Sequence, residues 1–328
     1  MALTLYYNPA SFFSQRARLA VEEKGVAYRS HIISHPSGEA IEPWYMRIQP
    51  KGTVPALKHG EIIKTDSKDI ILYLDEITPD APKFYPDSRI HGSDRVAYLT
   101  DLMQTISVEQ ISFGSLCYRQ YTQDCKLPNR FDVKYAKQSF DAMGDKMRKL
   151  AEKHPDLRDS YMDKIKVHEG RDLTNKENFL VALKECDSIM EEIEEELAQK
   201  WNGKFDNFTD SDPWLCCDHF TIADIYLATL LHRFVLAGQV KRMWSDGKRP
   251  YLAAYYARVQ QRKSFQRACG SANNLYLSVL LPKLKHQIRK AFPRLMGFSV
   301  FAASLGLAVY VQYKGYPSWW HNNLKLKF

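Results

Sequence analysis

The sequence predicts a small α/β domain, an all-helical domain behind it and a membrane-spanning helix at the carboxyl end. Three observations carry this. The first 80 residues break into strand-length runs separated by single helices. Beyond about Ser88 the apolar residues recur at three- and four-residue spacing. Leu295 to Tyr313 then runs for 19 residues without a charge.

Leu3 to Tyr7 reads as a strand, and a helix follows from about Ser14 to Lys24 with Gly25 placed to end it. Tyr28 to Ile33 reads as the second strand. His59-Gly60 can turn a hairpin between Ala56–Lys58 and Glu61–Lys64. A helix then starts near Ser67 and runs past Leu74. The order of strand, helix, strand, then strand, strand, helix is that of a thioredoxin-like domain, over residues 1–80.

The helical domain spans 88–280. Asp132 to Lys153 carries Val133, Ala136, Phe140, Met143, Met147 and Leu150 on one stripe, and Asn175 to Trp201 carries Phe179, Ala182, Cys186, Met190, Ile193 and Leu197 on another. Both stripes read as core, or else as a projecting helical hairpin. The glutamates Glu191, Glu192, Glu194, Glu195 and Glu196 read as a solvated face. Thr221 and Asp224 have the spacing of a capping box ahead of a buried helix.

The composition supports folding: 45% of the 328 residues are hydrophobic and 26% charged, which excludes global disorder. The net charge of +8 is segregated. From Lys241 onward stand 16 Lys and Arg against one acid, Asp246, a local +15, and the 240 residues before it carry −7. The amino end has neither the basic residues nor the apolar run of a signal peptide. The six cysteines form no Cys-x-x-Cys pair and read as reduced cytosolic thiols. No histidine pattern suggests a metal site.

The uncharged stretch 295–313 would cover roughly 28 Å as a helix, near the hydrocarbon thickness. A basic segment, 281–294, precedes it. A short tail, 314–328, follows with Lys314, Trp319, Trp320, Lys325 and Lys327, residue types suited to the interface. This predicts a single-pass tail anchor with the bulk of the chain facing the cytosol. Its modest length and basic collars favour the mitochondrial outer membrane and its lipids, with the peroxisome as the alternative. The adjoining span explains the basic run 283–290 without nucleic acid. Ala302 and Gly306 could pair two spans, which leaves a homodimer open.

Ser11 falls between the first strand and the first helix. A hydroxyl there can donate to a thiolate at a helix N-terminus, while Ser14 reads as the cap. A cis Pro55 would turn the Val54 backbone outward to pair with an extended peptide. The amides at Asp66-Ser67 can bind a carboxylate, and Asp66 an amine. A ligand with an amino-acid head, a peptide middle and a thiol satisfies all three, and glutathione is such a ligand.

Residues 3 to 76 resemble the N-terminal domain of glutathione S-transferases through Pro50-Lys51-Gly52-Thr53-Val54-Pro55-Ala56-Leu57 and Asp66-Ser67-Lys68-Asp69-Ile70-Ile71-Leu72-Tyr73-Leu74. Lys68 and Asp69 depart from a pattern that is often apolar there. The helix opened at Phe220–Asp224 resembles the capping-box helix of that superfamily. An insertion at about 118–171, together with Glu42-Pro43-Trp44-Tyr45-Met46-Arg47 and Gly247-Lys248-Arg249-Pro250, is similar to the ganglioside-induced differentiation-associated protein family. That resemblance implies a tail-anchored mitochondrial outer-membrane protein linked to fission, network shape and redox balance. It implies a transferase activity that is weak or absent and protein partners reached through the insertion. It also implies Ser11 as the catalytic hydroxyl and Val54, Pro55, Asp66 and Ser67 as glutathione contacts. The alternative is an active transferase that conjugates glutathione to an electrophile at the membrane surface.

Overall fold

The structure, a computed structural model, describes residues 2–89, 92–123, 125, 133–209, 211–270, 283–289 and 291. The first domain contains β1 (Leu3–Tyr7), α1 (Phe12–Lys24), β2 (Tyr28–Ile32), α2 (Pro43–Met46), β3 (Ala56–His59), β4 (Ile62–Lys64) and α3 (Ser67–Ile77). The sheet order is β2-β1-β3-β4. β1 runs parallel to β2 because α1 carries the chain back between them, and antiparallel to β3. Leu3, Leu5 and Tyr7 alternate inward and join Leu19, Val21, Ile70 and Leu74 in one core. Gly25 ends α1 with φ +63°, and its N–H reaches the carbonyls of Val21 and Glu22.

The helical domain adds α4 (Ser93–Gln104), α5 (Val108–Cys117), α6 (Val133–Lys153), α7 (Arg158–Glu169), α8 (Lys176–Trp201), α9 (Ile222–Ala237), α10 (Val240–Met243), α11 (Pro250–Gln260) and α12 (Lys263–Cys269). α9 lies at its centre, buried from Ile222 to Phe234. Asp224, in its first turn, is fully buried. Its Oδ2 accepts from the Thr221 N–H and hydroxyl, both at 2.8 Å, and its Oδ1 from the Leu215 N–H at 3.0 Å and the Tyr255 hydroxyl at 2.9 Å. The Thr221 hydroxyl thus donates to the carboxylate. Asn175 caps α8 by accepting from the Asn178 N–H at 2.9 Å, and the predicted α8 stripe is core throughout.

The glutamate face is only partly solvated. Glu194 is 8% exposed and accepts the N–H groups of Tyr251 and Leu252 at the start of α11. Glu191 pairs with the buried Arg249, and Glu196 with Arg95. An acidic groove of about 660 Å³ remains beside these residues, and none of the predicted site residues lines it.

Arginine contacts at α1 help join the domains. Arg18 of α1 donates to the carbonyls of Ala268 and Arg267 in α12, at 2.8 and 2.7 Å, and Arg262 pairs with Glu23 of α1.

The insertion folds back as a hairpin of α6 and α7. Met147, Ala151, Leu157, Tyr161 and Ile165 bury themselves with Ile41 and Met46 in a second, smaller core, with Met143 and Leu150 beside it. The hairpin therefore seats on the thioredoxin-like domain of its own chain. Val133, Ala136 and Phe140 lie outside the described side chains. Among the described residues no helix is long and apolar enough to cross a membrane. The predicted span 295–313 and tail 314–328 lie outside the described residues. Of the basic segment 281–294, residues 283–289 and 291 are described, and they are helical.

Candidate functional site

Ser11, not Ser14, caps α1. Its Oγ accepts from the Ser14 N–H at 3.3 Å, so the helix begins at Phe12, two residues before the predicted start. Ser14 is fully buried, and its Oγ accepts from the Asn8 N–H at 3.2 Å. Asn8 fixes the loop from within: its side chain donates to the Ile33 carbonyl at 2.8 Å and accepts from the Ala10 N–H at 2.9 Å. Ser11 is half-buried, and a hydroxyl that accepts one bond keeps a proton to donate.

The Val54–Pro55 peptide is cis. Both side chains are buried, and among the described residues the Val54 amide and carbonyl make no hydrogen bond. Asp66 caps α3 through the Lys68 N–H at 2.7 Å, with Ser67 buried behind it. Ser11 and Asp66-Ser67 thus stand at two helix N-termini, whose partial positive charge suits a thiolate and a carboxylate. Lys68 bonds Asp101 of α4 at 2.9 Å, and Asp69 is exposed, so both departures from the transferase pattern are accommodated at the surface.

The sequence reading missed Arg16. Its guanidinium is 2% exposed and lies 3.5 Å from the Tyr226 ring centroid and 4.3 Å from that of Phe12. Burial lowers its pKa to about 10, partly opposed by Tyr226 and by the Asp66 carboxylate. Its Nε has no hydrogen-bond partner among the described residues. The available signal was the pair Arg16 and Arg18, two cations inside an otherwise apolar helical stretch.

The insertion closes in on the same region. Tyr161 donates to the Ile41 carbonyl and Lys164 to the Lys51 carbonyl, both at 2.8 Å, while Arg47 pairs with Asp156 at 2.9 Å. Lys164 also crowds Gly52, which takes φ +55° one residue before Thr53 and two before Val54. Burial, reinforced by Arg171, pulls the Lys164 amine down to about 8. Among the described residues no cluster of His, Cys, Asp or Glu could hold a metal ion.

Comparison with known proteins agrees with this geometry. Residues 5–82 match the profile "Glutathione S-transferase, N-terminal domain", and residues 136–258 match "Glutathione S-transferase, C-terminal domain". The human "Ganglioside-induced differentiation-associated protein 1-like 1" is 28% identical over all of this chain and 88% of its own length. "Glutathione S-transferase TCHQD" of Arabidopsis thaliana is 26% identical over 82% of this chain and 90% of its own. The solved theta class glutathione S-transferase of Xanthomonas axonopodis pv. citri, with glutathione bound, superposes with a TM-score of 0.53 at 20% identity. It covers 82% of this chain and 97% of that one, a likeness of fold.

Proposed function

The chain belongs to the glutathione S-transferase-like family of ganglioside-induced differentiation-associated proteins, and on that premise we propose a tail-anchored protein of the mitochondrial outer membrane, serving fission, network shape and redox balance, with glutathione as the ligand of its thioredoxin-like domain. The observation that supports it most is one short stretch. The Val54 backbone is open to an extended peptide, and the stretch just ahead of it, from Ile41 through α2 to Gly52, seats the insertion. A ligand paired with Val54 touches the segment on which the insertion rests, so occupancy can be passed to partners of the insertion. The stretch 295–313 supplies the anchor, with the peroxisome as the other candidate membrane.

Two measurements test this reading. Calorimetric titration of the full chain is expected to show saturable glutathione binding, and no saturable heat at millimolar glutathione removes the ligand. Deleting 294–328 is expected to release the protein into the cytosol and abolish its effect on network shape. Unchanged localisation removes the anchor.

One observation favours an active transferase as a second reading: the Ser11 hydroxyl proton remains available to a thiolate at the N-terminus of α1. Conjugating activity that falls at least tenfold in Ser11→Ala supports it, and activity equal to wild type removes Ser11 from the chemistry.

A further inference from the structure

Glutathione, the ligand inferred above, carries two carboxylates and one ammonium. Asp66 and Ser67 account for the ammonium and the carboxylate of its γ-glutamyl head. The second carboxylate, on the glycine at the other end, finds no cation among Ser11, Val54, Pro55, Asp66 and Ser67.

The sheet register locates that end. Leu57 of β3 stands opposite Lys64 of β4. Two further residues along each antiparallel strand bring Asp66 beside Pro55. A head held at Asp66-Ser67 therefore sits at Pro55. An extended ligand paired with Val54 runs from there towards Thr53 and Gly52. Gly52 is two residues from Val54, at most about 7 Å of chain.

Lys164 of α7 stands at that end. Its Cδ lies 3.1 Å from the position a Gly52 Cβ would take, and its ammonium donates to the Lys51 carbonyl at 2.8 Å. An ammonium has three N–H groups, so two remain. The side chain is half-buried and pairs with no carboxylate among the described residues. Arg171 repels its charge, and His35 feels that charge in turn. Glu109, which favours it, is already paired with Arg171 at 2.7 Å. Burial, with Arg171, holds the amine at about 8. Lys164 is thus a cation short of an anion.

We propose that Lys164 receives the far carboxylate of the peptide ligand, so that the insertion supplies one wall of the glutathione site and selects a peptide ending in a free carboxylate. This rests on the reading of glutathione as the ligand. It adds a proton: a bound carboxylate favours the charged amine, so binding draws in a proton wherever the empty site is partly neutral. Uptake is largest near pH 8 and vanishes towards pH 6, where the empty site is already charged.

The test is calorimetry on the full chain with S-methylglutathione, whose thiol is blocked, and with its glycyl ethyl ester, which lacks the far charge. The acid is expected to bind at least about fivefold tighter than the ester. In buffers of different ionisation enthalpy at pH 8, the acid is expected to take up about half a proton more than the ester, and no more at pH 6. Lys164→Met is expected to bind the two alike. Lys164→Arg, charged at every working pH, is expected to keep the preference and lose the uptake. Acid and ester bound alike by the wild type, an unchanged preference in Lys164→Met, or uptake that persists in Lys164→Arg overturns the assignment of Lys164 and leaves glutathione as the ligand. No saturable heat from either probe or from glutathione overturns the glutathione reading, and this inference with it.

Discussion

The phenol of Tyr161 donates a hydrogen bond to the carbonyl of Ile41 across 2.8 Å, although 120 residues separate them. Tyr161 is fully buried, and its ring fills the small core that the insertion shares with the thioredoxin-like domain. Tyr161→Phe keeps the ring and strands one carbonyl, at a cost of about 1–2 kcal/mol. Tyr161→Ala empties the core and is expected to cost about 3–5 kcal/mol. Urea denaturation reads both, and faster proteolytic nicking within α6 or α7 reads the release of the hairpin. A Tyr161→Ala protein as stable and as resistant as wild type would contradict the docking.

Gly52 offers a sharper probe of the link between insertion and ligand. A Cβ there would lie 2.8 Å from Met46 Sδ and 3.1 Å from both the Ala40 carbonyl and Lys164 Cδ, at φ +55°. Gly203 also has positive φ, +88°, but nothing within 4 Å. Each substitution to Ala is expected to cost about 1 kcal/mol in backbone conformation. Only Gly52→Ala should also weaken glutathione binding severalfold by calorimetry. Equal affinities in the two variants would separate the insertion from the ligand site.

Lys164 gives a pH dependence whose sign is fixed. Its folded-state pKa is about 8, below the ordinary 10.5, so the unfolded chain binds the extra proton between those values. Stability from this group therefore rises with pH from about 8 to 10.5 and is flat below. Lys164→Met is expected to abolish that increment. Denaturation midpoints at pH 7 and 9.5, compared between variant and wild type, check it, and parallel pH profiles would refute the assignment.

Asp224 carries four donors in the centre of the helical domain, and burial pushes its pKa upward. Asp224→Ala leaves those donors unpaired and is expected to cost at least about 3 kcal/mol. Tyr255→Phe removes a single bond and should cost about 1 kcal/mol. Thermal unfolding orders the two, and a larger loss for Tyr255→Phe would show that the carboxylate is not the hub.

The thioredoxin-like order, the hairpin at Gly60, the stripe of α8 and the Thr221–Asp224 pair were legible because each rests on local periodicity or on residues three or four apart. Ser11 and Ser14 were interchanged because both can cap a helix. What separates them is Asn8, whose bonds to Ile33 and Ala10 bury Ser14, and nothing local announces that. Glu194 read as solvated because its donors come from Tyr251 and Leu252, more than fifty residues away. The seating of the insertion was hidden for a related reason. Its polar ties to the Ser37, Ile41 and Lys51 positions end on backbone carbonyls, which leave no mark in a side-chain pattern. Two family-bearing stretches gain a physical meaning from this: Glu42–Arg47 meets the insertion and the 283–289 helix, and Arg249 locks α11 to α8.

Arg18 has a mechanical consequence. It grips the last carbonyls of α12 from within α1, 250 residues away in the chain, and Glu23 with Arg262 doubles the grip. A pull on α12 passes at once into the amino-terminal helix, so the two domains bear it together.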